Sequence, residues 1–269
     1  MHDSFFRHAG ARLRFRVEGH GPALLLLHGW ALDLDMWQPQ FAGLSDHCRL
    51  IAFDRRGFGL SSGEPDLAQD VEDARALLDE LHVSCATVVG MSQGARIALA
   101  LAGTHPGYVA NLLLDGAPAL LALSRGVQEE IPIAQYRALI REQGIAAFRE
   151  QWLLHPLMRL RNPAAEQLLH TIVGRYPARD LEPTAAKQAA LSIDLALVTQ
   201  LVSIVNGEFD SQARITAGDE LAHLLPHTYR MALPAAGHLA NLDNPAAYNE
   251  LLLECVRCNN SAGCAAVAK

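Results

Sequence analysis

Short apolar runs that alternate with helical patterns are the feature that most constrains the fold of this chain. The run ALLLL at Ala23–Leu27 is apolar at every position and has the length of a strand, not of a membrane span. A strand of this kind is buried on both faces, as in a parallel sheet that helices cover on both sides. The run therefore predicts an α/β fold.

The same alternation recurs on both sides of the middle of the chain. Further strand-length runs lie at residues 50–53, 86–89, 109–114, 201–207 and 228–233, and helical patterns lie at residues 67–81, 95–101 and 215–225. Strands that alternate with helices predict a mostly parallel central sheet with helices on both faces. The run RLRFRV at residues 12–17 alternates basic and apolar residues instead, which predicts an antiparallel strand with one face in water.

The middle of the chain, residues 119–197, interrupts this alternation. It shows helical periodicity with breaks at Pro132, Gly144 and Pro156, and no convincing strand pattern. We therefore predict a helical cap at residues 119–197, inserted into a core made of residues 1–118 and 198–257. Asn244 and Pro245 are expected to start the closing helix of that core as its N-cap and first helical residue. Residues 258–269 are expected to form a flexible tail.

Composition excludes several classes of partner. The net charge is −7, and no basic run is present, so nucleic acid and anionic membrane surfaces are not expected partners. The N-terminus lacks the pattern of a signal peptide, which leaves the cytoplasm as the expected location. Cys255, Cys258 and Cys264 form a C-x2-C-x5-C pattern, but a closed zinc site needs four ligands and no fourth is evident. We therefore expect no metal.

Two segments match the Gly-x-Ser-x-Gly pattern of a nucleophile turn: GLSSG around Ser61 and GMSQG around Ser92. Such a turn needs a strand before it and a helix after it, because it must expose the hydroxyl beside the free N–H groups of a helix start. Ser92 follows the apolar run CATVVG and precedes the helical segment QGARIALALAG. Ser61 lies in a loop, where it is expected to bond its own backbone. Ser92 is therefore the predicted nucleophile, with a helix N-cap as the alternative interpretation.

A nucleophilic serine of this kind is followed along the chain by an acid and then by a histidine base. His238 lies in the turn PAAGHLANL after the last predicted strand, so we predict that it is the base. Asp210 ends VNGEFD and Asp115 ends NLLLDG, each directly after a strand. Either could orient the imidazole, and we favour Asp210.

The remaining histidines and acids fit these tasks less well. His223 and His227 lie on or just beyond a helix, before the last strand. Asp219 and Asp243 are expected to be solvated or capping acids. His28 directly follows the ALLLL strand and is expected to shape a loop next to the site.

The motifs LLHGW, FDRRGFGLSS, GMSQG, NGEFD and AAGHLANL, in this order, resemble those of the α/β-hydrolase fold family. The resemblance covers about residues 12–118 and 201–256, and residues 119–197 lie where this family inserts a cap. HGWALDLDMW and IAFDRRGFG are similar to the cofactor-free haloperoxidase (perhydrolase) and aryl esterase branch. The segment GHLANLDNPAAYNELL is similar to enol-lactonases and small esterases.

The resemblance implies that Ser92, Asp210 and His238 form a triad that works without a metal or a cofactor. It also implies an oxyanion hole made of two backbone N–H groups, those of Trp30 and Gln93. A serine at the turn implies an acyl-enzyme intermediate, whereas dehalogenases and epoxide hydrolases of this family carry aspartate there.

His28 and Gly29 precede Trp30 and belong to the loop that would support the hole. Four cap residues are candidates for the wall of a substrate pocket, and ordinary packing within the cap is the alternative interpretation for all of them: Trp152, Leu153, Leu157 and Met158.

The expected activity is hydrolysis of a small-molecule carboxylic ester. Enol-lactone opening, carbon–carbon bond hydrolysis and peracid formation remain open, because one fold and one triad support several chemistries. A slow or non-catalytic small-molecule receptor is the alternative from another class. The sequence does not name the substrate or the oligomeric state.

Overall fold

An eight-stranded sheet forms the centre of the protein in the computed structural model, which describes residues 2–119, 131–182 and 191–262. The strands are β1 Ser4–His8, β2 Ala11–Glu18, β3 Ala23–Leu27, β4 Arg49–Phe53, β5 Ala86–Met91, β6 Val109–Asp115, β7 Leu201–Gly207 and β8 Thr228–Leu233. Their order across the sheet is β1-β2-β4-β3-β5-β6-β7-β8. β2 is antiparallel to both of its neighbours, β1 and β4. The other six strands, β3 to β8, pair in parallel with one another.

Side chains of β3 enter two separate hydrophobic cores, which explains why its sequence is apolar throughout. Leu24 and Leu26 face one core, while Leu25 and Leu27 face the other, and all four are fully buried. Consecutive residues of a strand point to opposite faces, so a strand covered on both sides needs apolar residues at every position. The prediction of a mostly parallel sheet with helices on both faces is confirmed.

The described residues form these α-helices: α1 Gln38–Leu44, α2 Leu67–Glu80, α3 Gln93–Thr104, α4 Ile133–Gln143, α5 Ile145–Leu153, α6 Glu166–Arg175, α7 Gln212–Leu224, α8 Ala240–Asp243 and α9 Pro245–Ala262. The helices predicted at residues 67–81, 95–101 and 215–225 are present as α2, α3 and α7, with ends that differ from the prediction by at most three residues. The Asn244 side chain accepts a hydrogen bond from the Ala247 N–H, as expected of an N-cap before Pro245. Helix α9 continues to Ala262, beyond the point where we expected the tail to start.

Between β6 and β7, the described residues 131–182 and 191–200 form helices and 3-10 turns and contain no strand. We call the described residues 131–182 and 191–197, which include α4, α5 and α6, the cap. Its apolar residues, such as Phe148 and Trp152, belong to the same hydrophobic cluster as Leu24 and Leu26 of the sheet. The cap prediction itself covers all of residues 119–197, of which 120–130 and 183–190 lie outside the described residues.

The arginine face of β2 is the main departure from the sequence prediction. Arg14 and Arg16 are buried, not solvated, with 2% and 5% of their surface exposed. Arg14 donates hydrogen bonds to Asp35 and Asp54, and Arg16 donates to Asp35. Strand β1, which the sequence analysis did not find, pairs with β2 along its outer edge. Carboxylates of a neighbouring loop therefore cover a face that local sequence alone assigns to water.

Neither a membrane-spanning helix nor a metal site is found among the described residues. In the described part of the chain, no helix combines the length and the apolar character that a membrane crossing requires. The predicted C-x2-C-x5-C pattern falls largely outside what is described, because only the side chain of Cys255 is included; its thiol donates to Ser203. The described residues contain no group of three or more potential metal ligands.

Substitution of Gly90 tests how closely β5 and α3 pack. A Cβ atom at Gly90 would lie 2.5–2.7 Å from backbone atoms of Gly94 and Ala95, so the helix would have to move. We expect Gly90→Ala to lower the free energy of unfolding by about 3 kcal/mol or to prevent folding. Urea denaturation measures the change.

Gly174→Ala is the matched control, because a Cβ atom there meets nothing within 4 Å and the residue lies in helix α6. It should raise the free energy of unfolding by up to about 1 kcal/mol. Equal effects of the two substitutions would contradict the close packing inferred at Gly90.

Candidate active site

Ser92 occupies a sharp turn between the end of β5 at Met91 and the start of α3 at Gln93. Its backbone has φ 52° and ψ −115°, a conformation that is strained for a residue with a side chain. The Ser92 N–H donates to the Asp115 carbonyl oxygen at 2.7 Å, which ties the turn to strand β6. The strand, turn and helix that the sequence predicted around Ser92 are therefore present.

Gly90 and Gly94 make this turn possible. A Cβ atom at Gly94 would collide with the Leu27 carbonyl group, and one at Gly90 would collide with the helix backbone. Without side chains at these two positions, α3 starts in contact with the carboxyl end of β3. The first N–H groups of the helix consequently lie beside the loop that follows β3.

His238 is paired with Asp210. Its Nδ1 atom lies 3.0 Å from Asp210 Oδ1, and both residues are buried. Burial by itself would raise the pKa of Asp210, but the attraction of His238 and hydrogen bonds from His238, Asn206 and Ser211 lower this pKa overall. Asp210 is therefore ionised, and it fixes a tautomer of His238 with hydrogen on Nδ1, which leaves Nε2 as a possible base.

Asp115, the other acid considered, contacts a different group. Its side chain is buried beside the Tyr248 phenol, and the carboxylate that bonds His238 is that of Asp210. Burial and repulsion by Asp210 raise the pKa of Asp115 well above its usual value. A carboxyl group that holds its proton cannot stabilise an imidazolium as an anion would.

Ser92 and His238 line one small cavity of about 10 Å³, which has room for about one water molecule. Its other lining residues come from the loop after β3, from β5 and from the cap: Gly29, Trp30, Leu32, Met91, Ile131, Trp152, Leu157 and Met158. Of the four candidate pocket residues, Leu153 lies elsewhere, in the wall of a second cavity of about 510 Å³ in the cap. Met158 borders both cavities.

The loop after β3 is held by buried hydrogen bonds. Burial lowers the pKa of His28 well below its usual value, so this imidazole is neutral. Its Nε2 atom accepts from the Arg55 N–H, and its Nδ1 lies 2.8 Å from the Gly29 carbonyl oxygen, to which it donates. In the described part of the chain, the backbone N–H groups of Trp30 and Gln93 have no hydrogen-bond acceptor. Both N–H groups are therefore unused within the described residues, as the predicted oxyanion hole requires.

Arg55 links the two sides of this region, and the sequence analysis did not single it out. Its guanidinium is fully buried and donates from Nη2 to the Gly29 carbonyl at 3.2 Å and to Gln93 Oε1 at 2.7 Å. The Gly29 carbonyl and the Trp30 N–H belong to the same peptide group, so the bond to Arg55 orients that N–H and polarises it. The sequence signal that could have identified Arg55 is its position in the motif DRRGFG, two residues after the end of β4.

The indole of Trp30 connects the same loop to the cap. Its Nε1 atom donates to Asp180 Oδ2 at 2.6 Å. Its ring packs edge-to-face against Trp152 with 4.8 Å between ring centroids, and also contacts Tyr136 and Phe148. Trp30, whose backbone N–H has no acceptor among the described residues, is therefore bound to the cap through its side chain.

Two residues expected to be solvated or local are instead buried and bridging. Asp243 accepts from the backbone N–H groups of Arg161 and Gly237, so it joins the cap to the segment before His238. Ser61 donates to the Asp54 carbonyl at the start of its own loop, as expected, and also accepts from the Arg14 N–H, so it joins that loop to β2.

The pH dependence of stability tests the protonation of Asp115. Between the usual value near 4 and the raised pKa of the folded protein, the native state holds a proton that the unfolded chain has lost. Stability should therefore fall as pH rises through this range, by up to about 1.4 kcal/mol per pH unit from this group. Asp115→Asn removes this dependence, so its stability relative to that of the wild type should increase as the pH rises above the usual value near 4, as measured by urea denaturation.

Asp219→Asn serves as a control because more than half of this side chain is exposed. Because exposed ion pairs contribute little, its effect on the free energy of unfolding should stay below about 1 kcal/mol throughout the same series. A pH-independent effect of Asp115→Asn would show that this carboxyl ionises normally.

Comparison with known proteins agrees with this geometry. Residues 22–135 match the model of the α/β hydrolase fold. The chain is 26% identical to a pimeloyl-[acyl-carrier protein] methyl ester esterase of Vibrio cholerae over 90% of this chain and 97% of the relative. It is 27% identical to 3-oxoadipate enol-lactonase 2 of Acinetobacter baylyi over 85% of this chain and 86% of the relative.

A solved structure of an enol-lactonase from Burkholderia xenovorans is similar in fold, with a TM-score of 0.79 and 22% identity over 94% of this chain and all of that chain. The sheet order, the turn at Ser92 and these matches together show that the chain has the α/β-hydrolase fold and is similar to enzymes with that fold.

Proposed function

We propose that this enzyme is a serine hydrolase that cleaves small carboxylic esters through an acyl-enzyme, with Ser92 as nucleophile, His238 as base and Asp210 as the orienting acid. One observation carries the proposal: His238, which is paired with Asp210, lines the same cavity as a serine held at a strained strand–helix turn. The names of the two curated relatives, an esterase and an enol-lactonase, support the same chemistry.

Acylation begins when Nε2 of His238 removes the hydroxyl proton of Ser92 and Oγ attacks the ester carbonyl carbon. The carbonyl oxygen becomes an oxyanion, and the N–H groups of Trp30 and Gln93 bind it. Such a donor contributes about 2.7–4 kcal/mol at the transition state. The imidazolium then gives its proton to the departing alcohol, and Asp210 stabilises the imidazolium while it exists.

Deacylation repeats these steps with water. His238 takes a proton from a water molecule, whose oxygen attacks the acyl carbon, and the proton then passes to Ser92 Oγ as the acid leaves. Every proton is moved by side chains of the chain itself, and the proposed mechanism assigns no step to a metal or a cofactor.

The cap determines which ester fits. The cavity at Ser92 has room for about one water molecule, so a substrate must displace side chains of the cap to enter. Met158 separates this cavity from the larger one in the cap, and an unbranched thioether side chain moves easily. We infer that the acyl or alcohol part of the substrate extends past Met158.

Enol-lactones are the second candidate substrates, because lactone opening uses the same nucleophile and one relative is an enol-lactonase. Carbon–carbon bond hydrolysis and peracid formation stay predictions from the sequence, as do the cytoplasmic location and the receptor alternative. A receptor would bind and react once, so sustained turnover distinguishes an enzyme from it.

Removal of the Ser92 hydroxyl tests the proposal directly. We expect purified wild type to hydrolyse p-nitrophenyl esters and Ser92→Ala to lose about 10⁶-fold in kcat, as serine proteases do without their nucleophile. The acyl-length optimum, measured from acetate to dodecanoate, gives the size of the pocket.

Ser61→Ala is the matched control, because Ser61 is also buried in a Gly-x-Ser-x-Gly segment but bonds only structural groups. It should keep kcat and lose some stability. Full activity of Ser92→Ala would overturn the assignment of the nucleophile.

A pair of carboxyl substitutions separates the two acids. Asp210→Asn should lower kcat by about 10⁴-fold, because it removes the charge that orients and stabilises His238. Asp115→Asn removes a carboxyl of the same size whose pKa is already raised, so kcat near neutral pH should change less than about tenfold. Steady-state kinetics on one ester measures both, and the reverse ranking would assign the acid to Asp115.

A further inference from the structure

A buried arginine contacts the proposed nucleophile, although no motif in the sequence points to it. Arg214 lies in the first turn of α7, four residues after Asp210, and only 4% of its surface is exposed. Its Nη1 atom lies 3.1 Å from Ser92 Oγ and 2.9 Å from the Gly116 carbonyl oxygen. The same segment of chain thus supplies the orienting acid and a cation beside the nucleophile.

The hydrogen bonds of Nη1 determine where the serine proton points. This nitrogen carries two hydrogens, one for each of the two oxygen atoms. A hydroxyl has one hydrogen to donate and two lone pairs to accept with, and Arg214 occupies one lone pair of Ser92. The hydrogen of the hydroxyl must point away from Arg214, and His238 borders the same cavity.

Gly116 fixes the guanidinium relative to the base. Its backbone has φ +55°, and a Cβ atom there would lie 2.7 Å from His238 Cε1 and 3.2 Å from Asp210 Oδ2. The residue whose carbonyl accepts from Arg214 therefore packs directly against the His238–Asp210 pair. Arg214, Ser92 and His238 are held in one arrangement through this single peptide.

We propose that Arg214 is a positioning residue for Ser92: it holds Oγ in one rotamer, directs the hydroxyl hydrogen towards His238 and stabilises the negative charge that Oγ gains during attack. The proton passes from Ser92 Oγ to His238 Nε2, and Arg214 keeps all of its own protons. A cation beside an atom favours the charged form of that atom, and a hydrogen bond to a charged oxygen is stronger than one to a neutral hydroxyl. This inference rests on the proposed function and deepens it.

The two chemical steps should depend on Arg214 to different degrees. In acylation, Oγ starts as a hydroxyl and develops charge, so the bond from Arg214 strengthens as the reaction proceeds. In deacylation, the attacking atom belongs to water, and Oγ is an ester oxygen until it leaves. Loss of Arg214 should therefore slow acylation more than deacylation, which a purely structural role would not predict.

The test compares Arg214→Gln, which removes the charge, with Arg214→Lys, which keeps a cationic donor. The primary readout is the rate at which a fluorophosphonate ester labels Ser92, because this single reaction reports nucleophilicity without turnover. The second readout is the burst and steady-state rate with p-nitrophenyl acetate, which separates acylation from deacylation. Thermal unfolding of each variant is recorded alongside.

Arg230→Gln is the matched control. This guanidinium also contacts α7, through the Ile215 carbonyl and Asp219, but it bonds neither Ser92 nor Gly116. Ser92 of the Arg230→Gln variant should be labelled at the wild-type rate even if the unfolding temperature of this variant is lower.

We expect Arg214→Gln to slow labelling and acylation by about ten- to a hundredfold, with a smaller effect on deacylation, and Arg214→Lys to recover part of the loss. Wild-type labelling by Arg214→Gln would overturn the proposal, as would equal slowing in Arg230→Gln. If Arg214→Gln does not fold, a labelling rate of Arg214→Lys at least equal to that of the wild type, despite its different geometry, overturns it. Failure of the wild type itself to be labelled at Ser92 would instead overturn the proposed function.

Discussion

The contact between strand β5 and helix α3 is the constraint on which the rest of the site depends. Ser92 adopts a strained backbone conformation at the turn between them, and such strain persists only where surrounding structure imposes it. Here the imposing contacts are the bond from the Ser92 N–H to Asp115 and the close approach of Gly90 and Gly94 to neighbouring backbone. The sheet and helix α3 therefore hold Ser92 in a strained conformation that exposes its hydroxyl to the cavity.

Buried guanidinium groups connect this rigid centre to its surroundings. Arg55 joins the loop after β3 to Gln93, and Arg214 joins α7 to Ser92 and the end of β6. The partly exposed Arg175 of the cap helix α6 pairs with the buried Asp33 and Asp35, which ties the cap to the core in the same way. A guanidinium offers five donors in a fixed plane, so one side chain holds several oxygen atoms in a defined arrangement. Loss of one partner in such a buried set leaves an uncompensated charge or donor, which is strongly destabilising.

The cap couples substrate entry to the geometry of the proposed oxyanion hole. Trp30 offers a free N–H group at the cavity, and its indole is bonded to Asp180 and packed against Trp152 of the cap. In the conformation described, the cap leaves about 10 Å³ at Ser92. Any movement that admits a substrate therefore acts on side chains in contact with Trp30, so the substrate that fits the cap also influences where the donor lies.

The sequence by itself determined the parallel sheet, the order of its elements and the turn at Ser92. These follow from local patterns: apolar runs buried on both faces, helical periodicity, and glycines two residues before and after a serine. His238 and Asp210 were also predictable, because parallel strands end at one edge of the sheet and both residues follow such strands. The sequence did not distinguish Asp210 from Asp115, and among the described residues the carboxylate that bonds His238 is that of Asp210.

Tertiary structure alone decided the positions of the buried charges. Arg14 and Arg16 look like the wet face of a strand, yet carboxylates from Asp35 and Asp54 cover them. Nothing in the local sequence distinguishes Arg214 from other helix residues, because its contact with Ser92 joins positions 122 residues apart. Local patterns report whether a position is apolar and which period it follows, whereas the partner of a buried charge depends on which distant segment the fold brings beside it.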